Sequence, residues 1–115
     1  MEPVKLEGKR GSGRTHRMLE NAVATARAQE GGTVLVVGID GDHAKEMMNT
    51  TWGLTDVKSA AASNWAKLNP GNMEISFWPK GQIRFIGADS PQWDKRAGRI
   101  VGYPVGTPLY VDHAV

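Results

Sequence analysis

The stretch Gly8-Lys9-Arg10-Gly11-Ser12-Gly13-Arg14-Thr15 decides how the chain is read, because its glycines are spaced to wrap an anion and it runs straight into a helical pattern. A phosphate loop calls for Gly, four free positions, Gly, Lys, then Ser or Thr. Gly8, Gly13 and Thr15 meet that pattern, and Arg14 stands in the lysine position. Glycine lets successive backbone N–H groups turn inward around an anion, the helix that follows adds its positive end, and a Thr hydroxyl can serve Mg²⁺. The competing reading is a Gly-rich turn between strand and helix, with cations on its surface.

The flanks of the stretch favour the first reading. Upstream, Val4 and Leu6 alternate with Lys5 and Glu7, a short strand over residues 3–7 that would feed the loop. Downstream, Met18, Leu19, Ala22, Val23 and Ala26 recur at helical spacing and Gly31-Gly32 stops the pattern, which predicts a helix over 15–29. Next, Val34-Leu35-Val36-Val37 forms a nearly continuous apolar run within 33–39, the mark of a strand covered on both faces, as in a parallel sheet. Strand, loop, helix and buried strand make a βαβ unit of the required length.

Composition bounds the rest. At 115 residues the expectation is a single domain over 1–115 with one core. A hydrophobic fraction of 40% and a charged fraction of 23% exclude wholesale disorder. No apolar run approaches the roughly 20 residues of a bilayer span, and no signal-peptide core follows the first Lys, so a cytoplasmic setting without a membrane partner is expected. The absence of Cys excludes disulfides, thiolate metal sites and cysteine nucleophiles. A net charge of +2 makes no global case for nucleic acid. Locally, Lys5, Lys9, Arg10, Arg14 and Arg17 outnumber Glu2 and Glu7 and concentrate positive charge on the loop.

Further along, Asp40-Gly41-Asp42 is a turn suited to capping a helix over 42–49. Val57, Ala61, Trp65 and Leu68 fall on one stripe and predict a helix over 55–68, ended by Asn69-Pro70-Gly71. Strands are expected over 73–78 and 82–88, joined as a hairpin through Trp78-Pro79-Lys80-Gly81. Residues 89–108 are punctuated by Pro and Gly and carry the cluster Lys95, Arg96 and Arg99; they read as irregular. Leu109-Tyr110-Val111-Asp112 is a short apolar strand ending in a carboxylate, the position from which an Asp helps hold Mg²⁺ beside a phosphate-loop hydroxyl. For Asp112 alone, a plain polar residue at a strand end is the alternative.

With Gly11-Ser12-Gly13-Arg14-Thr15, the apolar run followed by Asp40, and Val111-Asp112-His113, the chain resembles P-loop NTPases of the helicase and phage terminase type. It is most similar to small phage-encoded P-loop-like proteins with Arg for Lys in the loop and a terminal Val-Asp-His segment. The resemblance implies an α/β fold with a truncated, mainly parallel sheet flanked by helices and one antiparallel hairpin, working in the host cytoplasm. It implies ATP or another NTP held by Gly8, Gly11, Ser12, Gly13, Arg14 and Thr15, with Mg²⁺ at Thr15 and Asp112; His16, next along the helix, is placed beside the phosphates. Two departures reduce the expected turnover. Arg14 brings a planar, five-donor guanidinium where the family has a slim ammonium, and His113 stands where a Glu polarises the attacking water. The strands bearing a polar sensor and a cis arginine finger would also follow Asp112, so the expectation is at most half of a motor: a nucleotide-binding protein with weak or no hydrolysis. His16 and His43 lack metal-ligand spacing.

Two other classes of function are readable. In one, Trp93 offers a stacking face beside Lys95, Arg96 and Arg99, making a nucleic-acid-binding accessory protein, while Trp52, Trp65 and Trp78 serve core or edge packing. In the other, the scaffold is a protein-interaction module that meets a phage or host partner, or a second copy, through residues 89–108.

Overall fold

The apolar run 34–37 is buried on both faces because strands flank it on both edges and packed layers lie above and below. The computed structural model describes residues 13–28, 32–104, 106–113 and 115. Their order is α1 (Gly13–Ala28), β1 (Thr33–Gly38), α2 (Gly41–Trp52), α3 (Thr55–Ala62), β2 (Ala66–Asn69), a 3₁₀ turn (Pro70–Asn72), β3 (Glu74–Phe77), β4 (Gln82–Gly87), β5 (Trp93–Asp94), β6 (Arg99–Ile100) and β7 (Leu109–Val111). Five strands form one mixed sheet in the order β2-β3-β4-β1-β7, and β5 and β6 make a separate ribbon. β1 runs parallel to β4, from Thr33↔Gln82 to Gly38↔Gly87, and parallel to β7, from Leu35↔Leu109 to Val37↔Val111. β3 is antiparallel to both β4 and β2. This is the expected α/β architecture, except that the antiparallel hairpin gains β2 on its free edge.

The helices share one face of the sheet. α1 buries Thr15, Leu19, Ala22, Val23 and Ala26, the spacing of a single helical stripe. α2 starts at Asp40, whose carboxylate accepts the His43 N–H at 2.8 Å and so satisfies one of the free donors of the first turn. It buries Ala44, Met47 and Met48 against Val34, Val36, Ile83 and Phe85. On the opposite face, Leu35, Val37 and Ile86 pack with Ile100, Trp93, Tyr103 and Leu109 of the ribbon and the segment after it. Alternate residues of β1 thus enter two different cores, which is why its sequence shows no polar side.

The helix expected over 55–68 stops at Ala62. Asn64 takes the left-handed conformation at φ 62, which its short polar side chain tolerates, and the Trp65 N–H returns to Ala60 O at 2.7 Å. The chain then changes period: Ala66 and Leu68 turn inward while Lys67 and Asn69 are exposed, and β2 pairs along the free edge of β3. Trp65 and Leu68 fit a helical stripe only by coincidence of spacing. Among the described residues, the other expected elements form where the sequence placed them, within a few residues at their ends. The hairpin turn closes through the Phe77 N–H to Gly81 O at 2.8 Å, with a cis Trp78–Pro79 peptide. Residues 89–108 are less irregular than read, because the ribbon pairs Trp93 with Ile100 and Asp94 with Arg99. The strand expected over 3–7 lies outside the described residues.

At the C-terminal ends of β1 and β4, glycine is a spatial requirement. A Cβ on Gly87 would sit 2.4 Å from the Asp40 carbonyl carbon and 2.5 Å from the Gly41 nitrogen, both backbone atoms at the start of α2. Gly87→Ala is therefore expected to lower stability in urea titration by about 1–3 kcal/mol. Gly53→Ala, at φ −87 with its nearest neighbour 3.5 Å away, should leave stability unchanged or raise it by up to about 1 kcal/mol.

Candidate nucleotide site at the end of the parallel strands

The three parallel strands end together, and the first turn of α1 sits over that edge. The Asp112 N–H donates to Val37 O at 2.9 Å, which carries the β1–β7 ladder one step past Val111 and sets Asp112 level with Gly38. Tyr110 and Asp112, two residues apart, share the face turned to α1, and both meet it. The Tyr110 and Thr25 hydroxyls lie 2.6 Å apart, and Thr15 Oγ1 donates to Asp112 Oδ1 at 2.7 Å. Thr15 and Thr25 are separated by ten positions, about 15 Å along a helix. These two contacts hold α1 along β7 and fix its N-terminal turn over the strand ends.

The Thr15–Asp112 pair joins residues 97 positions apart, and both are buried, at 7% and 3% exposure. A carboxylate so withdrawn from water requires donors, and a hydroxyl at 2.7 Å is a charge-assisted one. His113 Nδ1 lies 3.8 Å from the same carboxylate oxygen, in reach of an ion pair when the imidazole is protonated and beyond a hydrogen bond. Gly13 and Arg14 are exposed at the head of α1, and a Cβ on Gly13 would have no atom of the described residues within 4 Å. Gly8, Gly11 and Ser12 lie outside the described residues. His16 points away from the pair: its Nε2 is 3.6 Å from Glu20, and both line a groove of about 500 Å³ between α1 and the α2–α3 junction, with Arg27, Asn49 and Thr55.

Thr15 and Asp112 are hard oxygen donors, suited to a cation that keeps most of its water and takes its remaining ligands from phosphate. No group of three or more His, Asp or Glu side chains that could hold a metal by itself occurs among the described residues. Two oxygen donors by themselves do not make an all-protein metal cage.

The cationic cluster lies elsewhere. Lys95, Arg96 and Arg99 belong to the ribbon, on the sheet face that α1 does not cover; the Arg96 N–H is held by Asp94 Oδ1 at 3.0 Å and Arg99 reaches Tyr103 O at 3.4 Å. Trp93 is half-buried against the second core, and Trp52 packs on the first. Trp65 and Trp78 stand exposed at the sheet edge. Sequence reasoning also passed over Gly38, where a Cβ would meet Met47 Cε at 2.8 Å and His43 Nδ1 at 2.9 Å. That imidazole nitrogen accepts the Ile39 N–H at 2.9 Å and secures the turn after β1. A glycine ending an otherwise apolar strand is the signal that marks such a contact.

The Thr15–Asp112 bond is measurable. In a double-mutant cycle of Thr15→Val and Asp112→Ala, read by urea unfolding without added ligand, the coupling should be about 1.5–3 kcal/mol, the scale of a hydrogen bond to a charged group. Coupling near zero would mean that the two side chains do not interact in solution. Comparison with protein-family models, with curated proteins and with solved structures finds no match, so the geometry itself carries the functional reading.

Proposed function

We propose that the protein binds a nucleoside triphosphate with Mg²⁺ at the head of α1 and hydrolyses it slowly or not at all. The observation that carries this reading is the buried Thr15–Asp112 hydrogen bond, which sets a loop hydroxyl and a strand-end carboxylate side by side at the C-terminal edge of parallel strands. Ligands of open α/β sheets gather at that edge. Thr15 donates its hydroxyl hydrogen to Asp112 and would have oxygen lone pairs left for a cation, which Asp112 would help to hold. Magnesium, when bound, would neutralise phosphate charge. Arg14 and the N-terminal end of α1 direct positive charge to the same place, and Gly13 leaves room for phosphate to approach the backbone.

Slow turnover follows from two residues. His113 occupies the position from which a carboxylate would polarise water, and its Nδ1 faces Asp112. Arg14 binds phosphate as a planar fork and does not follow the path of a lysine ammonium around a transferring group.

Calorimetry with ATP, with and without Mg²⁺, tests the reading. Thr15→Ala should weaken binding at least about tenfold in Mg²⁺ and much less in its absence, and Gly13→Val should abolish binding while the protein stays folded, since that side chain would point into open space. Phosphate release by the wild type should be on the order of 10⁻³ s⁻¹ or below, the scale of an NTPase without its finger arginine. The absence of both heat and a thermal shift with millimolar nucleotide would reduce the loop to a turn, and helicase-like turnover would overturn the reading of His113.

A further inference from the structure

Among the described residues, the sheet face opposite the helices is covered at only one end. The ribbon seals it over β1, β4 and β7. Over β2 and β3 the same face is open, and strand alternation places Lys67, Asn69, Ser76 and Gln82 there, because Leu68, Ile75, Phe77 and Ile83 turn into the helix-side core. At the open corner stand Trp65, just before β2, and Trp78, just after β3. The Trp78 N–H donates to Trp65 O at 2.9 Å, so the two residues are cross-strand partners. Their rings form a tilted pair with centroids 6.2 Å apart at 36°, and Trp65 is 50% and Trp78 65% exposed. Lys67 and Lys80 flank them and are exposed. Glu74, on the same face of β3, lies across from Arg84 in the ladder.

We propose that this corner binds single-stranded nucleic acid, with bases stacked on the Trp65 and Trp78 indoles and the backbone phosphates drawn by Lys67 and Lys80. Half-exposed aromatic rings beside cations are the elements that hold single strands without regard to sequence. Protein interfaces place apolar residues at the centre and are depleted of lysine; here lysines flank both rings and the adjoining face is polar. A duplex offers no free base faces, so the strand must be single. The surface is separate from the proposed nucleotide site: the two lie at opposite edges of a five-strand sheet, about 19 Å apart across the strands.

The test uses the full chain without nucleotide or Mg²⁺, so that its outcome is independent of the phosphate-loop reading. Fluorescein-labelled oligothymidylate and oligouridylate of about 15 nucleotides are titrated at about 50 mM salt, read by anisotropy and by quenching of tryptophan emission. Binding with quenching is expected for at least one polymer, and their relative affinity tells DNA from RNA. Trp65→Ala and Trp78→Ala should each weaken binding about tenfold, Trp78→Phe should restore most of the loss, and an abasic strand should bind at least about tenfold more weakly than the full one. Lys67→Ala with Lys80→Ala should flatten the salt dependence, whereas Arg96→Ala and Arg99→Ala should change nothing. Circular dichroism confirms that each variant is folded. The proposal is overturned if neither polymer binds, if the abasic strand binds equally, if binding survives loss of both tryptophans, or if sedimentation shows that the tryptophans are buried between two copies of the chain.

Discussion

The structure depends on one constraint: β1 is hydrogen-bonded in parallel on both edges and buried on both faces. Each of its buried apolar side chains contributes about 1.5–3 kcal/mol relative to exposure, so four of them outweigh any single polar contact in the molecule. Parallel pairing forces β1, β4 and β7 to end at the same edge. That edge, with the two glycines admitting α2 and Asp112 arriving beside Gly38, is a product of strand geometry before any side chain acts there. The Thr15–Asp112 bond is then a smaller term that selects one position of α1 on a surface the sheet has already built.

This division explains what could be read in the sequence. α1, β1 and β7 have unambiguous periods, about 3.6 residues for the stripe from Thr15 to Ala26 and an unbroken apolar run for the strand, so their existence and the place of Asp112 were legible. The meeting of Thr15 with Asp112 was legible only through the resemblance, which sets a phosphate-loop hydroxyl beside a strand-end carboxylate. The boundary between α3 and β2 was not. Alanine-rich sequence through residue 62 supports a helix, and what ends it is the tolerance of Asn64 for a left-handed turn together with the pairing offered by β3, a tertiary gain that propensity does not register.

The tryptophans follow from that boundary. On a helix continuing to residue 68, Trp65 would face inward with Val57 and Ala61. With the helix ended at Ala62, it becomes the cross-strand partner of Trp78 on the outward face of an edge. A shift of a few residues in one terminus decides whether the chain has an aromatic surface, because neighbouring residues in a strand point to opposite sides. The orientation of His16 was hidden for a related reason: periodicity fixes the buried stripe of α1, while what its flank meets depends on where α2 and α3 lie.

The hydroxyl contact between Thr25 and Tyr110 joins parts of the chain that are far apart in sequence. β1 finds β4 across 49 residues, as the Thr33–Gln82 contact records, and α1 finds β7 across 85 and 97 residues. Closing such separations costs chain entropy before any contact returns it, and chains dominated by distant contacts fold slowly. The carboxylate edge is therefore absent from any state in which β7 has not docked, even when α1, β1 and the hairpin are already native. The proposed site is thus complete only when the whole sheet is assembled, and a ligand bound at that edge would stabilise the folded state as a whole.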